Sequence, residues 1–218
     1  MTTRTVTPQG TEGDPARPEY PDLAMYIDGQ WTGGGGSRRE PVVNPATGLE
    51  LGAVPLAEAA DLDAALAAAA RGFTLWRDMP VERRSTILHR AADLLRERAD
   101  QIGRVMTLEQ GKALPESTGE VKRVATLLDW DCEEGRRAYG RIIPTSPGET
   151  LSVVREPVGP VAAFTPWNFP AGSPMRKIAA ALSAGCSIVI KASEEVPATA
   201  CLLTRCFEDA GLPGGCST

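Results

Sequence analysis

Two short segments carry residue types that could do chemistry: Phe164-Thr165-Pro166-Trp167-Asn168-Phe169-Pro170, and Lys191-Ala192-Ser193-Glu194. The first closes an apolar run and opens a helix pattern. The second closes the next apolar run. In a β-α-β unit this puts an amide and a Lys/Glu pair at the carboxyl ends of two neighbouring parallel strands, the edge where open α/β sheets bind ligands. Asn168 lies between two bulky apolar residues and is flanked by Pro166 and Pro170. It is therefore expected to be rigid and partly dry, where its N–H₂ can donate to a developing oxyanion. The competing reading is an Asn that bonds its own turn backbone. Lys191 and Glu194 follow Asn168 by 23 and 26 residues. That is close to the ~20-residue interval after which a dinucleotide-binding unit sets an acid on the ribose hydroxyls. No G-x-G-x-x-G follows the first strand, so a solvated ion pair at a strand end is an equal reading.

The elements that must hold these residues are legible around them. Val161–Phe164 is a continuous apolar run, as for a strand buried on both faces. Met175, Ile178, Ala179 and Leu182 recur at helical spacing, and Gly185-Cys186 turns the chain into a second buried strand, 187–190. Ala200, Leu203, Phe207 and Ala210 mark a second helix, closed by Gly211 and Pro213. This is β-α-β-α, an incomplete doubly wound parallel sheet of the α/β class. Upstream, Met25-Tyr26-Ile27 and Gln30-Trp31-Thr32 flank Asp28-Gly29 as a hairpin. The glycines 33–36 have the composition of a phosphate cradle, but no helix start or Lys-Ser/Thr follows, so they read as a loop. Short strands are expected at 42–43 and 51–54. Three amphipathic helices then follow. Their apolar stripes are Leu62, Ala65, Leu66, Ala69, Phe73 and Trp76; Ile87, Leu88, Ala91, Leu94 and Leu95; and Val121, Val124, Ala125, Leu128 and Cys132. Gly140 and Pro144 end the helical block, and 151–155 is a strand with polar flanks.

Composition narrows the function classes. A net charge of −5 over 218 residues argues against nucleic acid or an anionic membrane as the main partner. The uncharged stretch 178–190 falls short of the ~20 residues of a membrane helix. Residues 1–20, rich in Thr, Pro, Gly and Glu, read as a disordered tail and carry no signal-peptide pattern. Five cysteines without a C-x-x-C pair read as free thiols of a reducing, cytosolic compartment. The one histidine, His89, on the polar side of its helix, argues against a His-dependent triad or multi-His metal site, and a structural role is expected.

Leu108-Glu109-Gln110-Gly111-Lys112, the run 164–170, Lys177 with Ala184-Gly185-Cys186, Lys191-Ala192-Ser193-Glu194 and Ala210-Gly211-Leu212-Pro213 together resemble the aldehyde dehydrogenase superfamily, from about Tyr26 to Pro213. The similarity to NAD-dependent succinate-semialdehyde dehydrogenases is greatest in feel. The resemblance implies the N-terminal part of that fold. Residues 21–140 would be the helical part of the cofactor domain, 141–157 an oligomerisation arm, and 158–218 the first two βα units of the NAD-binding domain. It implies oxidation of a small aldehyde to a carboxylic acid with NAD, in preference to NADP, by a homo-oligomer. Asn168 would be the oxyanion amide. Phe164, Thr165, Pro166 and Trp167 would line the cofactor cleft, and Lys191, Ser193 and Glu194 would hold the adenosine ribose. Phe169 would line the aldehyde tunnel. Arg176, by similarity to relatives acting on carboxylate-tailed aldehydes, would hold a substrate carboxylate or else cap a surface ion pair.

The family's cysteine nucleophile, glutamate base and Gly-Ser-Thr cofactor turn are expected beyond residue 218. Cys216, in a connector after Gly214-Gly215, is not expected to replace that nucleophile. The 218-residue chain alone is thus expected to be inactive, poorly stable and prone to aggregate. The alternative is a non-catalytic remnant that at most binds nucleotide or associates with a full-length subunit.

Overall fold

The computed structural model describes residues 20–218. The expected tail lies outside the described residues except for Tyr20, which is half-buried against a small apolar cluster of Leu23, Val42, Leu51, Val105 and Ala198. The chain then forms an antiparallel hairpin of β1 (Met25–Ile27) and β2 (Gln30–Thr32). Asp28 and Gly29 both take positive φ, 52° and 76°, as a two-residue hairpin turn demands. A second antiparallel pair, β3 (Arg39–Val43) and β4 (Glu50–Pro55), carries a register shift at Val42/Val43.

Four helices follow rather than the expected three: α1 (Ala59–Asp78), α2 (Val81–Glu97), α3 (Ala99–Gln110) and α4 (Leu114–Arg136). The unexpected one is α3. Arg98 alone separates it from α2, and its buried stripe of Ile102, Val105 and Met106 ends on an acid, Glu109. The phase of α1 also differs from the apolar pattern. Its buried face is the small-residue side, Ala65, Ala68, Ala69 and Gly72, with Trp76, while Leu62 and Leu66 stay half-exposed. The small side wins because backbone comes very close there: a Cβ on Gly72 would meet the Gly215 carbonyl carbon at 2.3 Å.

An exposed hairpin of β5 (Arg141–Ile143) and β6 (Leu151–Val153) leads into the parallel unit. That unit is β7 (Val161–Phe164), α5 (Gly172–Ala184), β8 (Ile188–Lys191) and α6 (Pro197–Asp209). β7 and β8 pair in register from Val161↔Ile188 to Phe164↔Lys191. Residues 216–218 add a third parallel segment on the other side of β8: Ile188 N–H donates to Cys216 O, Ile190 N–H to Thr218 O, and Ser217 bridges Ile188. The expected connector around Cys216 therefore runs parallel to β8 and bridges to it.

Two right-handed crossovers that step in one direction place α5 and α6 on the same sheet face. One buried cluster accordingly holds Met175, Ile178 and Leu182 of α5, Leu203 and Phe207 of α6, Ile188, Trp76 of α1, and the inward stripes of α2, α3 and α4. Trp76, fully buried, donates from Nε1 to Leu182 O at 2.8 Å and ties α1 to the last turn of α5. The opposite face of β7 stays open among the described residues. Ala163 is buried, but Phe164 is 76% exposed, so the strand expected to be buried on both faces is buried on one. No helix among the described residues is long and apolar enough to cross a membrane.

Candidate active-site edge

The register of β7 and β8 brings the two sequence segments together. Thr165 N–H donates to Lys191 O at 3.2 Å, so both loops leave the sheet side by side at its carboxyl edge. Thr165, Pro170 and Ala171 form the buried root of the first loop. Pro166, Trp167, Asn168 and Phe169 stand outside it, with Trp167 54% and Phe169 51% exposed. The dry enclosure expected for Asn168 is thus not formed by the described residues: bulky neighbours in sequence do not cover an amide on a loop that projects from the sheet edge. Nor does the turn close through its side chain. Within the loop, Ser173 N–H donates to Phe169 O at 2.9 Å.

The loop is fixed from behind by two residues that the functional reading of the sequence passed over. Glu120 of α4, with 3% of its side chain exposed, accepts from Ala171 N–H at 3.0 Å and Gly172 N–H at 2.9 Å. These are first-turn donors of α5, which no residue of α5 itself can satisfy. Lys112 pairs with the other carboxylate oxygen of Glu120, approaches Asn168 O to 3.5 Å, and sits 4.7 Å from the Phe169 ring centroid. The available signal was an acid on an apolar stripe: Glu120 precedes Val124 by one helical turn and Leu128 by two.

The second loop has a matching support. Glu109, 3% exposed, accepts from Ala198 N–H at 3.0 Å, Thr199 N–H at 2.8 Å, the Thr199 hydroxyl, and the Tyr20 hydroxyl at 2.8 Å. Burial outweighs these bonds and pushes its carboxyl up to about 7. At the rim, Lys191 and Glu194 pair with each other in solvent, and Lys191 holds the Glu194 carboxyl below its ordinary range. Ser193, mostly buried, donates to Glu195. Arg176, exposed on α5, pairs with no carboxylate among the described residues, so no surface ion pair accounts for it.

Four of the described thiols lack the character of a nucleophile. Burial raises Cys132, pushes Cys201 and Cys206 up to about 11, and pushes Cys216 up to about 12. Cys216 is fully buried, with its sulfur 3.6 Å from Gly72 O. His89 bridges to α4 through Asp129 at 2.7 Å and Glu133 at 2.9 Å, a structural place away from the edge loops. No cluster of metal-ligating side chains occurs among the described residues.

An ordinary Rossmann unit rests a dinucleotide's diphosphate on the N-terminus of its first helix. Here Glu120 fills that position at α5, and Glu109 fills it at α6. Neither α5 nor α6 therefore offers a diphosphate cradle at its N-terminus, and the exposed Lys191–Glu194 pair at the rim has the donor and acceptor chemistry that a ribose diol could use.

Fold and edge together define the class: the chain belongs to the aldehyde dehydrogenase family of oxidoreductases, whose model, described as "Aldehyde dehydrogenase family", matches residues 31–217. Among its relatives, the aspartate-semialdehyde dehydrogenase (non-phosphorylating) of Halomonas elongata is 42% identical over 191 residues. The succinate-semialdehyde dehydrogenase [NADP(+)] GabD of Escherichia coli is 41% identical over 190 residues. Each alignment covers 87% of this chain and 39% of the relative. The solved structure of PnpE from Pseudomonas sp. WBC-3 in complex with nicotinamide adenine dinucleotide superposes with a TM-score of 0.88 at 32% identity, over 90% of this chain and 41% of that one. The chain thus has the N-terminal part of the fold and spans about two-fifths of the length of these relatives.

Proposed function

We propose that this chain supplies the ribose-binding rim and the oxyanion amide for NAD(P)-dependent oxidation of a small aldehyde to its acid. The observation that carries this reading is the flush register of β7 and β8, which sets the Asn168 loop beside the Lys191–Glu194 pair. In this reading Phe164, Thr165, Pro166 and Trp167 form the cofactor wall. Glu194, with Lys191 and Ser193, takes the adenosine ribose. Phe169 faces the aldehyde. The Asn168 amide donates to the oxygen that becomes negative when a nucleophile adds to the carbonyl. The nicotinamide, when bound, accepts the hydride. Arg176, exposed and without an ion-pair partner among the described residues, suits a carboxylate-tailed aldehyde, and the semialdehyde names of the relatives support that class. The exposed apolar residues Ile142, Leu151, Val153 and Val154 of the β5–β6 hairpin suit an arm that packs on a second copy.

Glu194 favours NAD, since its carboxylate repels a 2′-phosphate. Isothermal titration of the chain should show NAD binding more tightly than NADP, with Glu194→Gln shrinking the difference. Equal or tighter binding of NADP by the unaltered chain would refute the preference. In an active polypeptide carrying this segment, Arg176→Ala should lower turnover of succinate semialdehyde more than that of an uncharged aldehyde. An equal fall in both would remove Arg176 from the substrate site. A second reading, nucleotide binding without turnover, draws on the raised thiols. It corresponds to no NADH formation by these 218 residues, and Asn168-dependent NADH formation would refute it.

A further inference from the structure

We propose that Lys112 and Glu120 are positioning residues for the Asn168 loop, acting as one buried unit. The significance of this proposal rests on the reading of Asn168 as the oxyanion donor; its geometry does not. Glu120 anchors the downstream side of the loop, because one carboxylate oxygen takes both Ala171 N–H and Gly172 N–H. Lys112 anchors the middle, because its ammonium touches the Asn168 carbonyl and the face of Phe169 while pairing with the second Glu120 oxygen. The sheet anchors the upstream side through Thr165 N–H on Lys191 O. The Asn168 main chain is therefore held on three sides, and two of these holds meet on Lys112 and Glu120.

The charges matter as well as the contacts. Both side chains are largely out of water, so each is the other's main counter-charge, and the carboxylate also sits at the positive end of α5. Oxyanion stabilisation depends on a donor fixed before the reaction, so slack in this loop would cost the donor its geometry even with Asn168 intact. An exposed loop bearing two half-exposed aromatics needs such a brace, since the described residues provide no cover over it.

The test uses the 218-residue chain and needs neither cofactor nor aldehyde, so its outcome is separate from that of the aldehyde reading. The variants are Lys112→Met, which keeps the apolar stem, Glu120→Gln, and Lys112→Arg as the conservative replacement. Backbone ¹⁵N relaxation and amide exchange are measured at Asn168, Phe169, Ala171 and Gly172, with Leu95 and Ile102 in the helical core as reporters of global opening. Lys112→Met should lower the order parameters of Asn168 and Phe169 from ~0.85 to below ~0.6. It should also speed exchange at Ala171 and Gly172 by about 10-fold, with Leu95 and Ile102 unchanged. Lys112→Arg should restore the order. If Glu120→Gln does not fold, Lys112→Met still decides the matter. Unchanged values at Asn168 and Phe169, changes that merely track Leu95 and Ile102, or failure of Arg to restore order would each overturn the proposal.

Discussion

Glu109 should make the stability of this chain fall with rising pH in a window where most carboxylates do nothing. It is buried at the root of the second loop, and burial raises its carboxyl from 4.5 to about 7 against the pull of its bonds from Thr199, Tyr20 and Ala198. The folded chain therefore binds a proton between pH 4.5 and 7 that the unfolded chain has released. Stabilisation from this group is complete below about pH 4.5 and is lost as pH rises through about 7. A shift of about 2.5 units at ~1.36 kcal/mol each gives about 3 kcal/mol. That is a large share of the 5–15 kcal/mol typical of folded domains. The perturbation is Glu109→Gln, which removes the titration while leaving a carbonyl oxygen for Thr199. Urea unfolding of both proteins at half-unit steps from pH 4 to 8.5 isolates the effect, because titrating groups that do not interact with Glu109 cancel in the difference. The unaltered chain should lose about 3 kcal/mol relative to Glu109→Gln across that range. A difference that is flat with pH, or that grows in favour of the unaltered chain as pH rises, would refute the reasoning.

Two further outcomes follow from particular contacts. For His89, burial pulls the ring pKa down, but the bonds to Asp129 and Glu133 prevail and leave it raised. Its stabilisation should be full below about pH 6.5 and fade as pH rises through the higher folded value. An NMR titration should show the imidazole titrating later than a free histidine, and Asp129→Asn should bring it down; no movement in that variant would contradict the network. Gly72→Ala adds a favourable helix residue worth up to ~1 kcal/mol to α1. Its Cβ would nevertheless meet Gly215 and Cys216 backbone within 2.6 Å. Net destabilisation and faster amide exchange at Ile188 and Ile190, which donate to Cys216 O and Thr218 O, are expected. A stabilised variant with unchanged exchange would show that this approach is not tight.

Much of the scaffold was legible because local chemistry and global fold agree in it. Asp28-Gly29 is a strong tight-turn signal between the short strands Met25-Tyr26-Ile27 and Gln30-Trp31-Thr32. The runs at 161–164 and 187–190, separated by one helical stripe, admit little but a parallel pair. The aldehyde dehydrogenase motifs, from Leu108 to Pro213, fall within the family match at 31–217. What was not legible depends on partners distant in sequence. Glu109 and Glu120 lie on buried helix faces because α6 and α5 present unsatisfied N–H groups there, 89 and 51 residues away. The apolar phase of α1 misleads because backbone contact with residues 215–216 rewards small side chains over leucines. Residues 216–218 join β8 through main-chain bonds, which the side chains of a Cys-Ser-Thr run do not report. Asn168 is exposed because the covering of a loop is decided by what stands over it, and its own neighbours do not report that.

The most direct test of the account is where nicotinamide adenine dinucleotide touches this chain. In a ¹H–¹⁵N titration of the purified protein with NAD, amides at Phe164, Thr165, Trp167, Asn168, Lys191, Ser193 and Glu194 should shift together, and Ala171, Gly172, Ala198 and Thr199, already bonded to Glu120 and Glu109, should shift least. No saturable shifts at the edge residues, or the largest shifts at the two helix N-termini, would contradict the claim that the β7–β8 edge is a ribose-binding rim with its helix ends occupied by the protein's own carboxylates.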